Sequence, residues 1–193
     1  MNKQNFRYWK ENNSRNLHQR PLHSPRVTIW CAVSRLGVVG PYFYEEGGET
    51  VTVTFNRHCE MLENFLRSRL EEFDDSEGFW FQQGGATADT ARRSLGILRE
   101  MFPSRLISLR CGIEWPARSP DLTPCDFFLW GYLKAEVYKH RPQTLKILKD
   151  AIREEVAAIS PEMTNIVMET FRERLRQCIA NNCRHLTDVI FKP

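Results

Sequence analysis

No stretch of this sequence is apolar for long enough to cross a membrane, because spanning a bilayer takes about 20 consecutive apolar residues. Residues 1–6 also lack the apolar core of a signal peptide. None of the six cysteines forms a Cys-x-x-Cys pair, and several have apolar neighbours, which is typical of reduced cysteines. We therefore expect a soluble intracellular protein, nuclear or cytoplasmic, with no membrane partner.

The sequence also lacks a strong charge bias. Its net charge is +3, with 26% charged and 41% hydrophobic residues, as in ordinary globular domains. A strong electrostatic footprint for nucleic acid needs a clustered basic face, so this composition permits contact with DNA without arguing for it. The 193 residues contain no repeat and no low-complexity linker, which predicts a single domain over 1–193.

The first half of the sequence has the period-2 hydrophobic pattern of β-strands. Strands are expected, in chain order, over residues 6–9, 27–34, 38–44 and 50–55. A hairpin turn is expected at 34–37, and Gly40-Pro41 predicts a bulge or an edge position in the returning strand. Asn56 is the expected N-cap of the helix that follows.

In the second half, strands and helices alternate. Helices are predicted over about 56–70, 87–102, 126–137, 144–158 and 161–179, and strands over 79–81 and 105–109. Ser160 and Pro161 supply a cap and a favoured first residue for the last helix. Antiparallel strands followed by alternation predict an α/β fold, with helices packed on a mixed sheet.

Two segments carry the most specific sequence signals: residues 79–86 (FWFQQGGA), which run from a strand into a turn, and residues 119–126 (SPDLTPCD). Both resemble the mariner-type transposases of the DDE superfamily, in particular those of arthropods, and the resemblance covers essentially the whole chain. It implies an RNase H-like fold and a function in DNA transposition and integration, by phosphodiester cleavage and strand transfer.

In that family three acidic side chains hold two divalent ions, Mg²⁺ or Mn²⁺. The chemistry needs them because two metals about 3.5–4 Å apart clamp the attacking and leaving oxygens, and hard cations favour carboxylate ligands. The resemblance places the third acidic position at Asp126 and the second at Gly84, with 41 residues between them. Glycine offers no side-chain oxygen, so the second carboxylate is absent.

The resemblance also implies that the chain begins after the strand that carries the first aspartate, and that it has no helix-turn-helix modules. One of the three carboxylates would then remain. Asp89 stands where the family usually carries a histidine, and the positive end of a helix explains a carboxylate there better than metal binding does. We therefore expect an N-terminally truncated, inactive transposase remnant, poorly folded along the open edge of its sheet, with no productively bound metal.

Asp126 has a second interpretation, which does not involve metal. Thr123, Pro124 and Asp126 fit a capping box, with Thr123 as N-cap and Asp126 at the third helical position. Without metal partners, Asp126 would serve only the start of this helix. The sequence alone leaves both roles open.

Basic residues give weak indications of phosphate contact. Lys134, Lys139 and Arg141 belong to the densest basic stretch, while Arg92 and Arg93 lie on a helix whose other face is apolar. A solvated helix face explains such residues as well. The expected partners are DNA, bound without sequence preference if at all, and a second copy of the chain, with no small-molecule substrate.

Two other functional hypotheses stay open. A host could retain the scaffold as a non-catalytic protein that binds nucleic acid or another partner. Alternatively, a working nuclease could begin upstream and tolerate Gly84.

Overall fold

A computed structural model of the chain describes residues 25–73, 78–116 and 119–181. Its first element is an antiparallel hairpin of β1 (Ile29–Ser34) and β2 (Gly37–Phe43). The register shifts between Trp30 and Ala32, opposite Gly40-Pro41, so the predicted bulge is confirmed. Gly40 is required there, because it has φ +127° and a Cβ atom would lie 2.9 Å from the Trp30 carbonyl oxygen.

The next strands are shorter than the sequence predicts. β3 (Glu45–Glu46) and β4 (Glu49–Thr50) flank a two-glycine turn. The strand expected over 50–55 ends at Thr50, and Thr54, whose backbone is still extended, caps the following helix. Thr54, and not Asn56, is the N-cap: its Oγ1 accepts a hydrogen bond from the Arg57 amide at 3.4 Å.

The helix predicted over 56–70 is continuous but changes its winding. It begins as α1 (Phe55–Glu60), passes through a π-helical segment (Met61–Leu66) and ends as α2 (Arg67–Glu71). The π-helical segment contributes Met61, Leu62 and Leu66 to the core, each at most 1% exposed.

The strand and helix alternation of the second half is present. β5 (Phe81–Gln82) pairs in parallel with β6 (Leu106–Ile107), and α3 (Arg92–Met101) connects them. α3 begins five residues later than predicted, because residues 87–90 form turns. A 3₁₀ turn (Pro120–Leu122) and a π-helical segment (Cys125–Leu129) lead into the last helices: α4 (Trp130–Lys139), α5 (Leu145–Ala158) and α6 (Pro161–Ala180).

Helices cover both faces of the hairpin, which gives an α/β arrangement in layers. One core cluster contains Val39 and Leu62 together with the buried face of α3. The other contains Cys31 and Leu133 together with the buried face of α5. Consecutive strand residues point to opposite faces, so β1 has hydrophobic contacts on both sides, where the sequence pattern indicated a single core face.

The sheet differs from the prediction of one mixed sheet. In the described ranges the strands form three separate two-stranded ladders, and no described strand joins the hairpin to the β5–β6 pair. The strand expected at 6–9 lies outside the described residues. Among the described helices, none combines the length and apolar character that a membrane crossing requires. Cys31, Cys59, Cys111 and Cys125 are free thiols.

Candidate functional site

Gly84 follows directly on β5, and main-chain hydrogen bonds fix the backbone that leads to it. The Phe81 amide donates to the Arg105 carbonyl at 2.9 Å, and the Gln83 amide donates to the Ile107 carbonyl at 3.1 Å. Gly84 itself is exposed and lies outside the left-handed region of backbone conformation. No atom would lie within 4 Å of a Cβ placed on it. The position therefore has room for an aspartate and does not need a glycine for conformational reasons.

Asp126 lies in the first turn of the π-helical segment, with its side chain towards solvent. Its amide donates to the Thr123 carbonyl at 2.8 Å. Partial burial raises the pKa of the Asp126 carboxyl, and the ammonium group of Lys134 acts in the opposite direction. Asp126 and Lys134 thus form one mixed-charge surface at the start of α4.

The capping-box interpretation of Asp126 is wrong. The Thr123 hydroxyl donates to the Ser119 carbonyl at 3.0 Å, and no side chain caps the amides at the start of this segment. The Asp126 carboxylate makes no hydrogen bond or ion pair with any described residue. The helix start therefore leaves this carboxylate available for another partner.

Three contacts hold the segment that carries Asp126 and the turn before it. The Cys125 thiol donates to the Cys31 carbonyl of β1 at 3.7 Å. From α6, Arg174 stacks its guanidinium 4.4 Å from the centre of the Phe127 ring and donates from Nη1 to the Asp121 carbonyl at 3.1 Å. Sequence reasoning missed Arg174, since nothing in its local sequence separates it from the neighbouring helix-surface arginines.

Asp89 belongs to a cluster of polar side chains with His58 and Tyr44. Its carboxylate oxygen Oδ1 lies 3.7 Å from Nε2 of His58, whose Nδ1 lies 3.2 Å from the Tyr44 hydroxyl. Burial raises the pKa of Asp89 to about 6 and lowers the pKa of His58 to about 4. The helix-end interpretation of Asp89 is wrong, because Asp89 precedes α3 and the first turn of α3 contains no acidic residue.

The sequence carried a weak signal for this cluster. His58 falls on the same side of its helix as Met61 and Leu62, which are fully buried. A histidine on such an apolar face has to find its partners inside the protein. The sequence could not show that those partners are Tyr44 and Asp89, which come from distant parts of the chain.

The predicted basic residues are exposed but do not form one surface. Lys134, Lys139 and Arg141 lie on α4 or just after it, whereas Arg92 and Arg93 open α3. These two helices belong to core clusters on opposite faces of the hairpin. Lys139 pairs with Glu136 at 3.4 Å and Arg93 with Glu63 at 3.6 Å, so part of each patch is already neutralised.

The described residues do not fit a two-metal site. No group of three or more His, Cys, Asp or Glu side chains among them is placed to hold an ion. Gly84 contributes no oxygen, and Asp126 is a single carboxylate beside a lysine. Two adjacent divalent cations need several anionic oxygens.

Comparison with known proteins identifies relatives of this chain. It is 32% identical over 121 residues to the Tc3 transposase of Caenorhabditis elegans, an alignment that covers 62% of the chain and 34% of that protein. The crystal structure of the catalytic domain of Mos1 mariner transposase matches with a TM-score of 0.66 at 21% identity, over 79% of the chain and 72% of the domain. The sequence matches no protein-family model.

A second Mos1 structure, which contains a longer chain, matches as well. The mariner Mos1 paired-end complex with Mg superposes with a TM-score of 0.71 at 20% identity, over 94% of this chain and 51% of the Mos1 chain. The layered helices and strands thus have the RNase H-like fold of a transposase catalytic domain. The resemblance seen in the sequence is confirmed as a similarity: the chain is similar in sequence to the Tc3 transposase and shares its fold with the catalytic domain of Mos1 mariner transposase. The aligned part spans about a third of the Tc3 transposase.

Proposed function

We propose that this chain is a transposase-derived catalytic domain that no longer cleaves DNA. The observation that carries the proposal is the conformation of Gly84: an ordinary backbone with open space, at the position where the resemblance expects a metal-binding aspartate. A carboxylate has been lost there without any structural need for glycine. Asp126 keeps an available side chain but has no second carboxylate matched to it.

The metal requirement explains why this loss removes the chemistry. The related Mos1 complex contains Mg, and the family is expected to use Mg²⁺ or Mn²⁺. Loss of even an outer partner of a metal site typically costs about 10–100-fold in affinity or activity, and a missing ligand costs more. Asp126 and its neighbour Lys134 do not replace it, because a lysine ammonium repels a cation.

A plasmid-nicking assay with Mg²⁺ or Mn²⁺ tests the proposed inactivity. We expect no nicking by the purified chain. Metal-dependent nicking that disappears in Asp126→Asn but persists in Asp150→Asn would overturn the proposal, because Asp150 is an exposed carboxylate paired with Arg153 on α5.

The variant Gly84→Asp tests the assignment of the two positions. If Gly84 and Asp126 belong to one site, the added carboxylate should raise Mn²⁺ affinity by about tenfold or more. The gain should vanish in the double variant Gly84→Asp/Asp126→Asn. A gain that survives neutralisation of Asp126 would contradict the assignment.

A second candidate function is non-catalytic binding of DNA, in the nucleus or the cytoplasm. It is supported by the exposed basic residues Lys134, Lys139 and Arg141, of which Lys134 adjoins Asp126. Because phosphate contacts release counterions, the affinity of a DNA-binding protein falls with salt. The double variant Lys134→Ala/Lys139→Ala should weaken binding to double-stranded DNA of arbitrary sequence. The salt dependence of that binding should also decrease.

The matched comparison is Arg92→Ala/Arg93→Ala, which removes two charges from the opposite side of the hairpin. Equal effects of both double variants would indicate general electrostatic attraction and would count against a defined DNA surface on α4. We also propose that the chain forms a homodimer, by analogy with the Mos1 paired-end complex, and sedimentation of the chain with and without duplex tests this.

A further inference from the structure

Tyr44, His58 and Asp89 form a buried row of polar side chains that the proposed function does not use. They come from the loop after β2, from α1 and from the turns before α3. The Tyr44 hydroxyl lies 3.2 Å from Nδ1 of His58, and Asp89 Oδ1 lies 3.7 Å from Nε2 on the other side of the ring.

The Nε2 atom of His58 is buried without a hydrogen-bond partner among the described residues. His58 is 2% exposed, so its ring is almost wholly removed from bulk solvent. The 3.7 Å separation from Asp89 lies outside the usual range of about 2.7–3.2 Å for a hydrogen bond between nitrogen and oxygen, and it is also longer than the 3.4 Å bond at the Thr54 cap. A buried polar atom without a partner costs about 1–3 kcal/mol, so this nitrogen requires an explanation.

Space for a ligand exists beside these two atoms. A cleft of about 340 Å³ is bordered by His58, Asp89, Tyr44, Trp30 and Thr87. The Asp89 side chain is 27% exposed, so the carboxylate links the buried imidazole to the outside.

The separation of the two atoms suits a metal better than a bridging water. Two ligand atoms at about 2.0–2.2 Å from a tetrahedral zinc ion lie roughly 3.4 Å apart. Two atoms that share one water, each at about 2.8 Å, lie roughly 4.6 Å apart. The observed 3.7 Å is closer to the first arrangement.

We propose that Nε2 of His58 and Oδ1 of Asp89 bind one transition-metal ion of the zinc class, with water in the cleft completing its coordination. An imidazole with a carboxylate suits Zn²⁺, Ni²⁺ or Co²⁺, whereas Mg²⁺ takes oxygen ligands. Tyr44 orients the ring: Nδ1–H donates to the Tyr44 hydroxyl oxygen, which leaves Nε2 free for the metal, as in other histidine ligands. With two protein ligands the site is weaker than a four-ligand structural zinc site.

Titration of the metal-stripped chain with Co²⁺, a coloured substitute for Zn²⁺, tests the proposal. We expect one equivalent to bind with visible d–d absorption, Zn²⁺ to displace it, and excess Mg²⁺ to leave it in place. Zn²⁺ should also raise the thermal midpoint, because a ligand that binds only the folded state stabilises it. Absence of one-to-one binding would overturn the proposal.

The variant Asp89→Asn decides whether the bound ion is at this site. It keeps the shape of the side chain and should weaken Co²⁺ and Zn²⁺ binding by about tenfold or more, while Asp150→Asn on the surface of α5 should leave binding unchanged. His58→Gln should abolish binding, and far-ultraviolet circular dichroism of each variant checks that it is folded. Unchanged affinity in folded Asp89→Asn would refute the site, as would a cobalt spectrum dominated by thiolate charge transfer.

Discussion

Gln83 donates a hydrogen bond from its side-chain Nε2 to the Ser108 hydroxyl, 3.0 Å away, across the ends of β5 and β6. The same amide donates to the main-chain carbonyl of Asp89 at 3.0 Å. Gln83 is 8% exposed and Ser108 is fully buried. The residue before Gly84 therefore fixes both the strand end and the turn before α3.

Replacement of Gln83 by leucine should destabilise the domain. It leaves the buried Ser108 hydroxyl and the Asp89 carbonyl without this donor, which costs about 1–3 kcal/mol for an orphaned buried group. Urea unfolding measures the loss. Gln143→Leu is the control, because Gln143 is exposed and bonds only the nearby Arg141 carbonyl. Similar losses in both variants would show that the buried network contributes little.

Gly84→Asp should leave the free energy of unfolding nearly unchanged, within about 0.5 kcal/mol, as surface substitutions usually do. The position has no neighbouring atom within 4 Å of a Cβ and no left-handed backbone. Gly40→Ala, in contrast, forces a side chain at φ +127° and within 2.9 Å of the Trp30 carbonyl. A strained residue of that kind costs about 1–3 kcal/mol. A marked loss in Gly84→Asp, measured by thermal unfolding, would show that glycine is needed there after all.

The sequence predicted the helices and the hairpin because their signals are local. The stripe of Met61, Leu62 and Leu66 defines a buried helix face, and Ser160-Pro161 defines a helix start that the structure confirms: the Ser160 hydroxyl accepts from the Met163 amide at 3.3 Å. The short strands were harder, because β5 and β6 each have two residues and depend on pairing with distant chain segments.

The candidate site also contains some residues with local sequence signals and others that depend on contacts between distant segments. Gly84 and Asp126 stay predictions, which depend on the specific sequence of the segments around them. The capping box at Thr123 was wrong, since the competing acceptor for its hydroxyl, the Ser119 carbonyl, is set by the 3₁₀ turn. The cluster of His58 and Asp89 joins elements 31 residues apart in the sequence, and no local pattern reports such a contact.

Arg174→Ala should loosen the segment that carries Asp126. The guanidinium covers the Phe127 ring and bonds the Asp121 carbonyl, so its loss removes a cation–π contact and a hydrogen bond, together about 1–3 kcal/mol. Arg176→Ala is the matched control on α6, because Arg176 makes only an exposed pair with Glu173 at 3.5 Å. Hydrogen exchange of the amides of Asp126 and Phe127 should accelerate in Arg174→Ala alone. Equal exchange in both variants would contradict the anchoring role.

The stability of the metal-free chain should respond to pH through two opposing groups, His58 and Asp89. Burial lowers the pKa of His58 from 6.5 to about 4, so the stability associated with its neutral form is present above pH 6.5 and is lost as pH falls towards 4. Burial raises the pKa of Asp89 from 3.8 to about 6, so its contribution is largest below pH 3.8 and is lost as pH rises through 6. The two dependences oppose each other between about pH 4 and 6.

The variant Asp89→Asn removes the pH dependence that comes from Asp89, so the remaining dependence should be that of His58. The stability advantage of this variant over the unmodified chain should grow by about 2 kcal/mol as pH rises from 4 to 7, because the asparagine has no buried charge to form. Urea unfolding at each pH, in the presence of a chelator, measures this difference. Asp150→Asn, with an exposed carboxylate, should show no such gain. Parallel stability curves for Asp89→Asn and the unmodified chain would mean that the Asp89 carboxylate is as well solvated in the folded protein as in the unfolded chain.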